Sequence, residues 1–342
     1  MQLSLFTREL HPRRAFRIAR ARKNAVRNVF VRLERDGICG YGEASPNAFY
    51  NETAEGVVAK LEGIRDALRS LEIATTEDIS RAWERLWPML APSRAAQCAI
   101  DLALWDWLGK REGRSVCELA WGATPKTVTS FATIGLSTPE ELVEKIEELR
   151  GFPHIKLKSD SSADRTPTAL IRSRTSALLA VDANCAWLTQ DLEHLTRELK
   201  DLGVTFVEQP FPPENNGQLR LKPLHLPVIA DESCVTEDDV PLVTSCFDGF
   251  NIKLVKCGGI TPALRMVRKG LAAGRSLMTG CMLESSLLIA AGAVVAQRTD
   301  YADLDGAWLL GDDPCEGWRF EKGILHPPEG SGLGAIVPDD FS

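Results

Sequence analysis

The sequence lacks several features that define other classes of protein. Basic residues are not in excess, because the net charge is -7, and this argues against a nucleic-acid-binding domain. The nine cysteines form no CxxC pair and so show no zinc-ligand spacing, and their odd number indicates reduced thiols. No apolar run approaches the roughly 18 residues that span a membrane, and residues 1–20 lack the apolar segment of a signal peptide. We therefore expect a cytoplasmic protein without nucleic-acid or membrane partners.

The first third of the chain has the pattern of a small mixed domain. A strand over residues 25–33, an Asp36-Gly37 turn and a return strand over 39–44 are predicted first. Helices are then expected near residues 53–70, 76–89 and 92–112. Strands followed by helices are typical of an α+β domain. We assign residues 1–115 to this domain and expect the tail, residues 313–342, to pack back on it.

From Thr127 onward the pattern changes to strands that alternate with helices. A chain of 342 residues has room for a barrel of about 200 to 250 residues beside the first domain. Eight strands at regular spacing close a barrel more naturally than they form an open sheet, so we predict an α/β barrel over residues 116–312. The eight strands are expected near residues 128–133, 154–158, 178–182, 204–208, 227–231, 250–254, 276–279 and 301–304.

Three successive strands of this barrel end in acids. Asp182, Glu208 and Asp231 each close a short apolar run. Side chains at the carboxyl ends of barrel strands meet at one rim, where the active sites of such barrels lie. Carboxylates that converge repel one another unless a hard cation neutralises them, and Mg²⁺ is the usual choice for oxygen ligands. The spacing therefore predicts a metal site, with one Mg²⁺ per subunit.

Lysines are predicted on both sides of this metal site. Lys156 and Lys158 share one face of the second strand by alternation, and Lys253 ends the sixth strand, which lies opposite in a ring of eight. A substrate carboxylate bound to the cation would have an acidic α-proton, because the metal stabilises the resulting enediolate. One lysine would remove this proton and the other would return it on the opposite face. Lys156 would help to hold the substrate carboxylate.

These motifs together resemble the enolase superfamily, and most closely its muconate-lactonizing-enzyme subgroup. The resemblance implies a capping domain on a modified (β/α)7β TIM-type barrel, with Mg²⁺ at Asp182, Glu208 and Asp231. It also implies that Lys158 and Lys253 form the acid/base pair. Lys256 is the less favoured base, since alternation should turn it away from the site. The motifs are Lys156-x-Lys158, Asp182-x-Asn184, Glu208-Gln-Pro210, Asp231-Glu-Ser233 and Asn251-Ile-Lys253-x-x-Lys256-x-Gly258-Gly259.

The eighth strand carries the residues that distinguish members of the family. Asp303 and Asp305 share a face by alternation and lie across the barrel mouth from the metal, where they would bind a cationic group. A dipeptide fits, with its carboxylate at the metal and its α-ammonium at this pair. The Asp-x-Asp motif resembles the one with which dipeptide epimerases hold the substrate ammonium. Gly280-Cys281-Met-Leu-Glu284 is also similar to L-Ala-D/L-Glu epimerases, with Cys281 in the wall. The alternative is an ordinary Asp-Gly turn.

The side chain of the epimerised residue should face the capping domain. The basic stretch 16–23 lies where the family has a specificity loop, and Arg20, Arg22 or Lys23 would pair with a distal carboxylate such as that of glutamate. Lys23 stands where related Ala-Glu epimerases have an arginine, which weakens the case for a strict glutamate preference. Solvated basic residues at a turn are the alternative. Phe49 and Tyr50 are predicted pocket walls, with core packing as their alternative.

The leading hypothesis is therefore a Mg²⁺-dependent dipeptide epimerase acting by 1,1-proton transfer. Within the same family, a racemase of N-acylated amino acids or an o-succinylbenzoate synthase is the main alternative, but these substrates offer Asp303 and Asp305 no cation. A Schiff-base aldolase would use a central lysine but leaves the three acids unexplained. A non-enzymatic binding barrel is the remaining alternative. We expect a homo-oligomer from base rates alone.

Overall fold

The computed structural model describes residues 1–14, 16–18, 21–160, 164–187, 192–220 and 223–338, and for residues 16, 18 and 21–23 it describes the backbone alone. The N-terminal part is built on an antiparallel sheet in the order β1-β4-β5, and a separate hairpin pairs β2 with β3. The two predicted strands are confirmed as β4 and β5, whereas β1 was missed because it buries only Leu3 and Leu10. These strands are β1 (Gln2–Leu10), β2 (Phe16–Ile18), β3 (Ala21–Lys23), β4 (Val26–Arg35) and β5 (Ile38–Ala44).

Helices cover one face of this sheet. The helix expected over residues 53–70 is in fact two helices, with Gly63 capping the first of them, and the other two predicted helices are confirmed. The helices are α1 (Ala54–Glu62), α2 (Arg65–Arg69), α3 (Thr76–Leu90), α4 (Arg94–Glu112) and α5 (Val116–Trp121). α4 lies directly on β5, where a Cβ atom added to Gly42 would be 1.9 Å from the carbonyl oxygen of Ala99. Glycine is therefore required for this close approach.

Eight parallel strands form the barrel, in the sequential order from β7 to β14. A parallel bridge between Ser130 and Ala302 closes the ring, and Phe131 N donates to Ala302 O over 2.8 Å. The first predicted strand splits in two, because Val128 and Thr129 pair with the C-terminal tail. The barrel strands are β7 (Ala132–Ile134), β8 (His154–Lys158), β9 (Leu178–Asp182), β10 (Val204–Glu208), β11 (Val228–Ala230), β12 (Gly249–Lys253), β13 (Ser276–Gly280) and β14 (Tyr301–Asp303).

Helices connect the barrel strands. α6 begins with a capping box formed by Thr138 and Glu141, and Pro139 takes the first helical position. The helices are α6 (Pro139–Glu148), α7 (Thr166–Arg172), α8 (Leu192–Asp201), α9 (Val240–Val243), α10 (Leu254–Cys257), α11 (Ile260–Ala272) and α12 (Ser286–Ala296), with 3₁₀ turns at Ala48–Tyr50 and Pro213–Arg220. No helix in the described ranges is long and apolar enough to cross a membrane.

The C-terminal tail contacts both parts of the molecule. β15 (Arg319–Glu321) and β16 (Ile324–His326) pair with β6 (Val128–Thr129) in a three-stranded sheet. Farther along, Leu333 N donates to Asp106 Oδ1 of α4 over 2.8 Å. These contacts agree with a tail that returns to the first domain, while the domain boundaries at residues 115 and 312 stay predictions.

Two buried acids of the first domain dock it on the barrel. Glu43, at the end of β5, accepts hydrogen bonds from Ser285 Oγ at 2.5 Å and from Ser285 N, at the cap of α12. Asp101 of α4 accepts hydrogen bonds from Thr261 N at 2.9 Å and from Thr261 Oγ1 at 2.6 Å, in the first turn of α11. The first domain therefore covers the same end of the barrel at which the strands terminate.

Candidate active site

The carboxyl ends of four neighbouring strands bring charged side chains to one end of the barrel. Asp182 ends β9, Glu208 ends β10, Asp231 follows β11 directly, and Lys253 ends β12. The parallel register places Asp182 beside Glu208 on one side and beside Lys158 on the other. The three acids are each at most 2% exposed as whole residues. The structure thus brings the predicted acids and flanking lysines together, while their chemical roles stay predictions.

Both proposed catalytic lysines pair with these acids. Lys158 Nζ donates to Asp182 Oδ2 over 2.5 Å, and Lys253 Nζ donates to Asp231 Oδ2 over 2.9 Å. β8 and β12 stand four positions apart in the ring, so the two ammonium groups approach the mouth from opposite sides. A group placed between them has a proton-transfer residue on each face.

Lys156 lies deeper in the barrel than the sequence suggested. It is fully buried, and its Nζ donates to Glu208 Oε2 over 2.8 Å and to Asp303 Oδ2. This ammonium therefore joins the acid cluster to the aspartates on the opposite side of the barrel. The side chain of Lys156 lies beneath the cavity wall in this arrangement. Its contact with the substrate carboxylate stays a prediction.

Lys256 supports Asp231, and its position does not follow from strand alternation. It lies on α10 rather than on a continuing strand. Its buried Nζ donates to Asp231 Oδ1 over 2.6 Å and to the backbone oxygens of Asp231, Cys234 and Asn251 at 2.5, 2.9 and 3.2 Å. Four acceptors hold this ammonium in place, so it fixes the carboxylate of Asp231.

The acids of the cluster respond differently to their neighbours. Burial raises the pKa of Glu208 to about 7, and the carboxylates of Asp182 and Asp231 add to the effect. Burial also acts on Asp182, but the ammonium groups of Lys158 and Lys156 outweigh it and lower the pKa of Asp182 to about 2. Burial alone would favour protonated acids. The negative charge that remains on the cluster is therefore stabilised by the nearby ammonium groups.

Asp303 and Asp305 form a second acidic pair, and both reach the cavity wall. Thr133 on β7 binds both, because its amide donates to Asp305 Oδ2 over 2.6 Å and its hydroxyl donates to Asp303 Oδ1 over 3.3 Å. Burial and the carboxylate of Asp303 raise the pKa of Asp305 to about 7. A cationic ligand group at this point would favour the ionised carboxylate. The Asp-x-Asp sequence is thus part of the site and not only a surface turn.

A cavity of about 680 Å³ lies between the barrel mouth and the first domain. It unites most of the predicted site residues and the predicted pocket walls, whereas Lys156, Asp182 and Glu208 lie behind its surface. Arg27 and Met282 also contribute to the wall beside the first domain. The predicted residues on the wall are Phe49, Tyr50, Lys158, Asp231, Lys253, Cys281, Asp303 and Asp305.

The predicted specificity segment can be placed only in part. Arg20 lies outside the described residues, and the side chains of Arg22 and Lys23 lie outside them as well. The backbone of Lys23 pairs with Phe16 in the β2–β3 hairpin. Cys281 lies in the cavity wall, and burial raises the pKa of its thiol well above the usual value. A thiol of this kind is a poor nucleophile, which agrees with the predicted wall role.

Three polar residues support the site although the sequence argument gave them no role. Gln209 joins the ends of β10 and β11, because its Oε1 accepts from Asp231 N at 2.9 Å. Asn251 Nδ2 donates to Glu208 Oε1 over 2.8 Å. Asn251 shares the inward face of β12 with Lys253, so alternation could have identified it. Thr133 had no such signal, because a threonine is an ordinary strand residue.

The acid cluster has the chemistry of a Mg²⁺ site. Three carboxylates form an oxygen-only donor set, which suits this hard cation. In the present side-chain arrangement, no three His, Cys, Asp or Glu side chains of the described residues surround a common metal position, so binding of Mg²⁺ would require the three acids to turn toward it. Lys156 Nζ instead lies 2.8 Å from Glu208 Oε2 and 3.4 Å from Asp182 Oδ2. Ammonium groups thus supply the positive charge that these carboxylates require.

The fold and the site define a capped-barrel enzyme with buried acids and opposed lysines at the mouth. Two family models match the chain: "Mandelate racemase / muconate lactonizing enzyme, N-terminal domain" over residues 3–120, and "Enolase C-terminal domain-like" over residues 140–341. The chain belongs to the enolase superfamily, which confirms the resemblance inferred from the motifs.

Known relatives are similar along nearly their whole length. An L-Ala-D/L-amino acid epimerase from a Maribacter species is 38% identical over 98% of this chain and 99% of its own. The L-Ala-D/L-Glu epimerase of Escherichia coli is 34% identical over 91% of this chain and 95% of its own. A dipeptide epimerase from Methylococcus capsulatus, solved with Mg and the dipeptide L-Arg-D-Lys, is 31% identical, with a TM-score of 0.88 over 98% of this chain and 99% of its own. The protein is accordingly an isomerase of the epimerase kind.

Proposed function

We propose that the protein is a Mg²⁺-dependent dipeptide epimerase that moves the α-proton of the C-terminal residue. The observation that carries the proposal is the single cavity that holds Lys158, Lys253 and the Asp303–Asp305 pair. Two lysines on opposed strands suit 1,1-proton transfer, and a pair of carboxylates suits an α-ammonium group. The epimerases among the relatives support the same reaction class.

Lys158 and Lys253 act as the acid/base pair. Each is positioned by a carboxylate, Asp182 for Lys158 and Asp231 for Lys253, so neither ammonium swings freely in the cavity. One lysine removes the α-proton from one face, and the other delivers a proton to the opposite face. Inversion at the α-carbon follows from this opposed placement.

The acid cluster serves as the metal site in this proposal. Asp182, Glu208 and Asp231 would hold one Mg²⁺, which when bound supplies positive charge to the substrate carboxylate and so stabilises the charge that deprotonation creates. Lys256 holds Asp231 in position through its carboxylate and backbone oxygens. Asn251 does the same for Glu208.

Asp303 and Asp305 bind the α-ammonium of the N-terminal residue. Thr133 fixes both carboxylates, so the pair is organised before a ligand arrives. An N-acylated amino acid has no cation to offer, and its binding would leave the buried carboxylate of Asp305 without a cationic partner. This is why a dipeptide is a better substrate class than the N-acylated amino acids of the alternative.

The C-terminal side chain faces the first domain, and we propose the L-Ala-D/L-Glu type. Phe49, Tyr50 and Met282 give this part of the wall an apolar character, and Arg27 is the described cation there. Arg27 pairs with Glu55 in the present arrangement. Arg20 and Lys23 remain the proposed partners of a substrate γ-carboxylate.

The decisive experiment is α-proton exchange in D₂O with Mg²⁺ across a dipeptide library, followed by mass spectrometry. We expect deuterium at the α-carbon of the C-terminal residue, most rapidly in dipeptides whose C-terminal residue is glutamate, and loss of exchange in EDTA. In Lys158→Ala and in Lys253→Ala, exchange should persist for only one configuration, and the two variants should differ in which one. No exchange with any free dipeptide, together with exchange of N-acylated amino acids, would replace this proposal by the racemase alternative.

A further inference from the structure

A second cavity adjoins the aspartate pair. It has a volume of about 230 Å³ and shares two wall residues, Thr133 and Leu309, with the larger cavity. Thr133 binds both aspartates, and Leu309 N donates to Asp305 O over 2.9 Å. The two cavities therefore meet at the residues that fix the proposed ammonium site. We call this second cavity the side pocket.

The side pocket combines apolar walls with an excess of positive charge. Ile134, Leu149, Trp308 and Leu309 supply its apolar surface. Its charged wall residues are Arg13, Arg14, Lys145 and Glu148. Glu148 Oε2 is 3.4 Å from Arg14 Nη1, so the only wall carboxylate among the described residues already has a cationic partner. Three cations against one carboxylate leave the pocket with two positive charges.

Lys145 on α6 forms no ion pair with a carboxylate of the described residues. Its Nζ donates to Ser137 Oγ over 2.8 Å, and the side chain is half-buried. The nearby carboxylates of Glu141 and Glu148 pair with Arg17 and Arg14 at 3.5 and 3.4 Å. Burial lowers the pKa of Lys145, against the opposing effect of Glu141. An anion in the pocket would compensate the desolvated ammonium.

We infer that the side pocket receives the side chain of the N-terminal residue of the dipeptide and favours an acidic side chain there. This inference rests on the proposed function. The ammonium and the side chain of that residue leave the same α-carbon, so an ammonium held at Asp303 and Asp305 places the side chain against Thr133, the shared wall.

The chemistry of the pocket suits glutamate better than a purely apolar residue. The methylene groups of glutamate would pack on Leu309 and Trp308, and its carboxylate would reach the ammonium of Lys145. A leucine would satisfy the walls but would leave the half-buried cation without an anion. A lysine or arginine would add positive charge to a pocket that already has two positive charges in excess.

The test compares L-Glu-L-Ala with L-Gln-L-Ala, which differ in charge but hardly in size. With the Mg²⁺-loaded full-length enzyme, we expect kcat/KM for α-proton exchange to be about tenfold higher for L-Glu-L-Ala, mostly through a lower KM. In Lys145→Met the ratio should fall to about one. In Lys200→Met, the same substitution at an exposed lysine of α8, the ratio should stay as in the wild type. A ratio within one protein is insensitive to the fraction of folded enzyme.

The possible outcomes separate this inference from the proposed function. A wild-type ratio near one, or a ratio that survives in Lys145→Met, overturns the inference. A higher kcat/KM for L-Leu-L-Ala than for L-Glu-L-Ala overturns it too, because the pocket would then be apolar in function. Exchange with L-Ala-L-Ala keeps the proposed function in all these cases, whereas no exchange with any dipeptide removes both.

Discussion

Asp305 is the residue whose charge most directly decides the substrate class. It is 3% exposed, accepts a hydrogen bond from Thr133 N and has no ion pair with a described lysine or arginine, whereas Asp303 is paired with Lys156. Its pKa of about 7 reflects burial next to another carboxylate. A substrate ammonium would therefore find its strongest available partner at Asp305.

We expect Asp305→Asn to raise KM for free dipeptides by about 10- to 100-fold, because a hydrogen bond to a charged group contributes roughly 1.5–3 kcal/mol. The amide oxygen can still accept from Thr133 N, so the fold should be retained. Steady-state kinetics with L-Ala-L-Glu and thermal unfolding would measure the two effects. Asp201→Asn, at an exposed position of α8, is the matched control. An unchanged KM would show that the ammonium binds elsewhere.

At this scale the sequence predicts the position of a side chain only where strand alternation governs it. Lys158 and Asp303 lie where alternation and strand ends place them. The depth of Lys156 depends on the carboxylates around it, and these come from three other strands. Lys256 lies on α10, which begins directly after β12, so strand alternation does not apply to it. Such positions depend on long-range contacts that no local pattern records.

Among the elements, helix α4 packs closely against strand β5 in the first domain. A Cβ atom on Gly40 or Gly42 would lie 2.1 or 1.9 Å from a carbonyl oxygen of α4. Backbone oxygens cannot move aside as flexible side chains can. The helix can therefore approach this strand only where the strand has no side chains on the facing side.

Gly42→Ala should destabilise the protein by at least about 1–3 kcal/mol, the range typical of overpacked cores. The denaturation midpoint in urea would measure the change. Gly217→Ala serves as the matched control, because a Cβ atom there meets nothing within 4 Å and its backbone is not in the left-handed region. We expect this control to change stability by no more than about 0.5 kcal/mol. Equal midpoints for both variants would contradict the close-approach argument.

The elements were largely predictable because their patterns are local. Short apolar runs identified the positions of the barrel strands, and the apolar periodicity identified the helices of the first domain. β1 was not predicted because few of its side chains are buried. The strand expected over residues 128–133 is divided because β6 pairs with the C-terminal tail. Pairing with a distant segment cannot be read from a strand's own sequence.

On the scale of the whole molecule, two protonatable acids dock the first domain on the barrel. Burial raises the pKa of Asp101 to about 7, although hydrogen bonds from Thr261 oppose the shift. Burial likewise raises the pKa of Glu43 to about 7 against the hydrogen bonds from Ser285. Neither residue has a sequence signature, because each acquires its partner only when the two domains meet. The site cavity lies between these domains, so docking also completes the site.

The raised pKa values predict that stability falls with rising pH. Between the unfolded pKa of about 4 and the folded value of about 7, the folded state binds more protons, so each acid can reduce the free energy of unfolding by up to about 1.4 kcal/mol per pH unit. The contribution is constant below pH 4 and is lost by pH 7. Urea denaturation from pH 4.5 to 8 should show this slope in the wild type and in Asp66→Asn, an exposed control. Asp101→Asn should make this slope shallower by up to about 1.4 kcal/mol per pH unit and leave the contribution of Glu43, because an amide does not titrate. Parallel curves for Asp101→Asn and the wild type would mean that Asp101 is ionised in the folded protein.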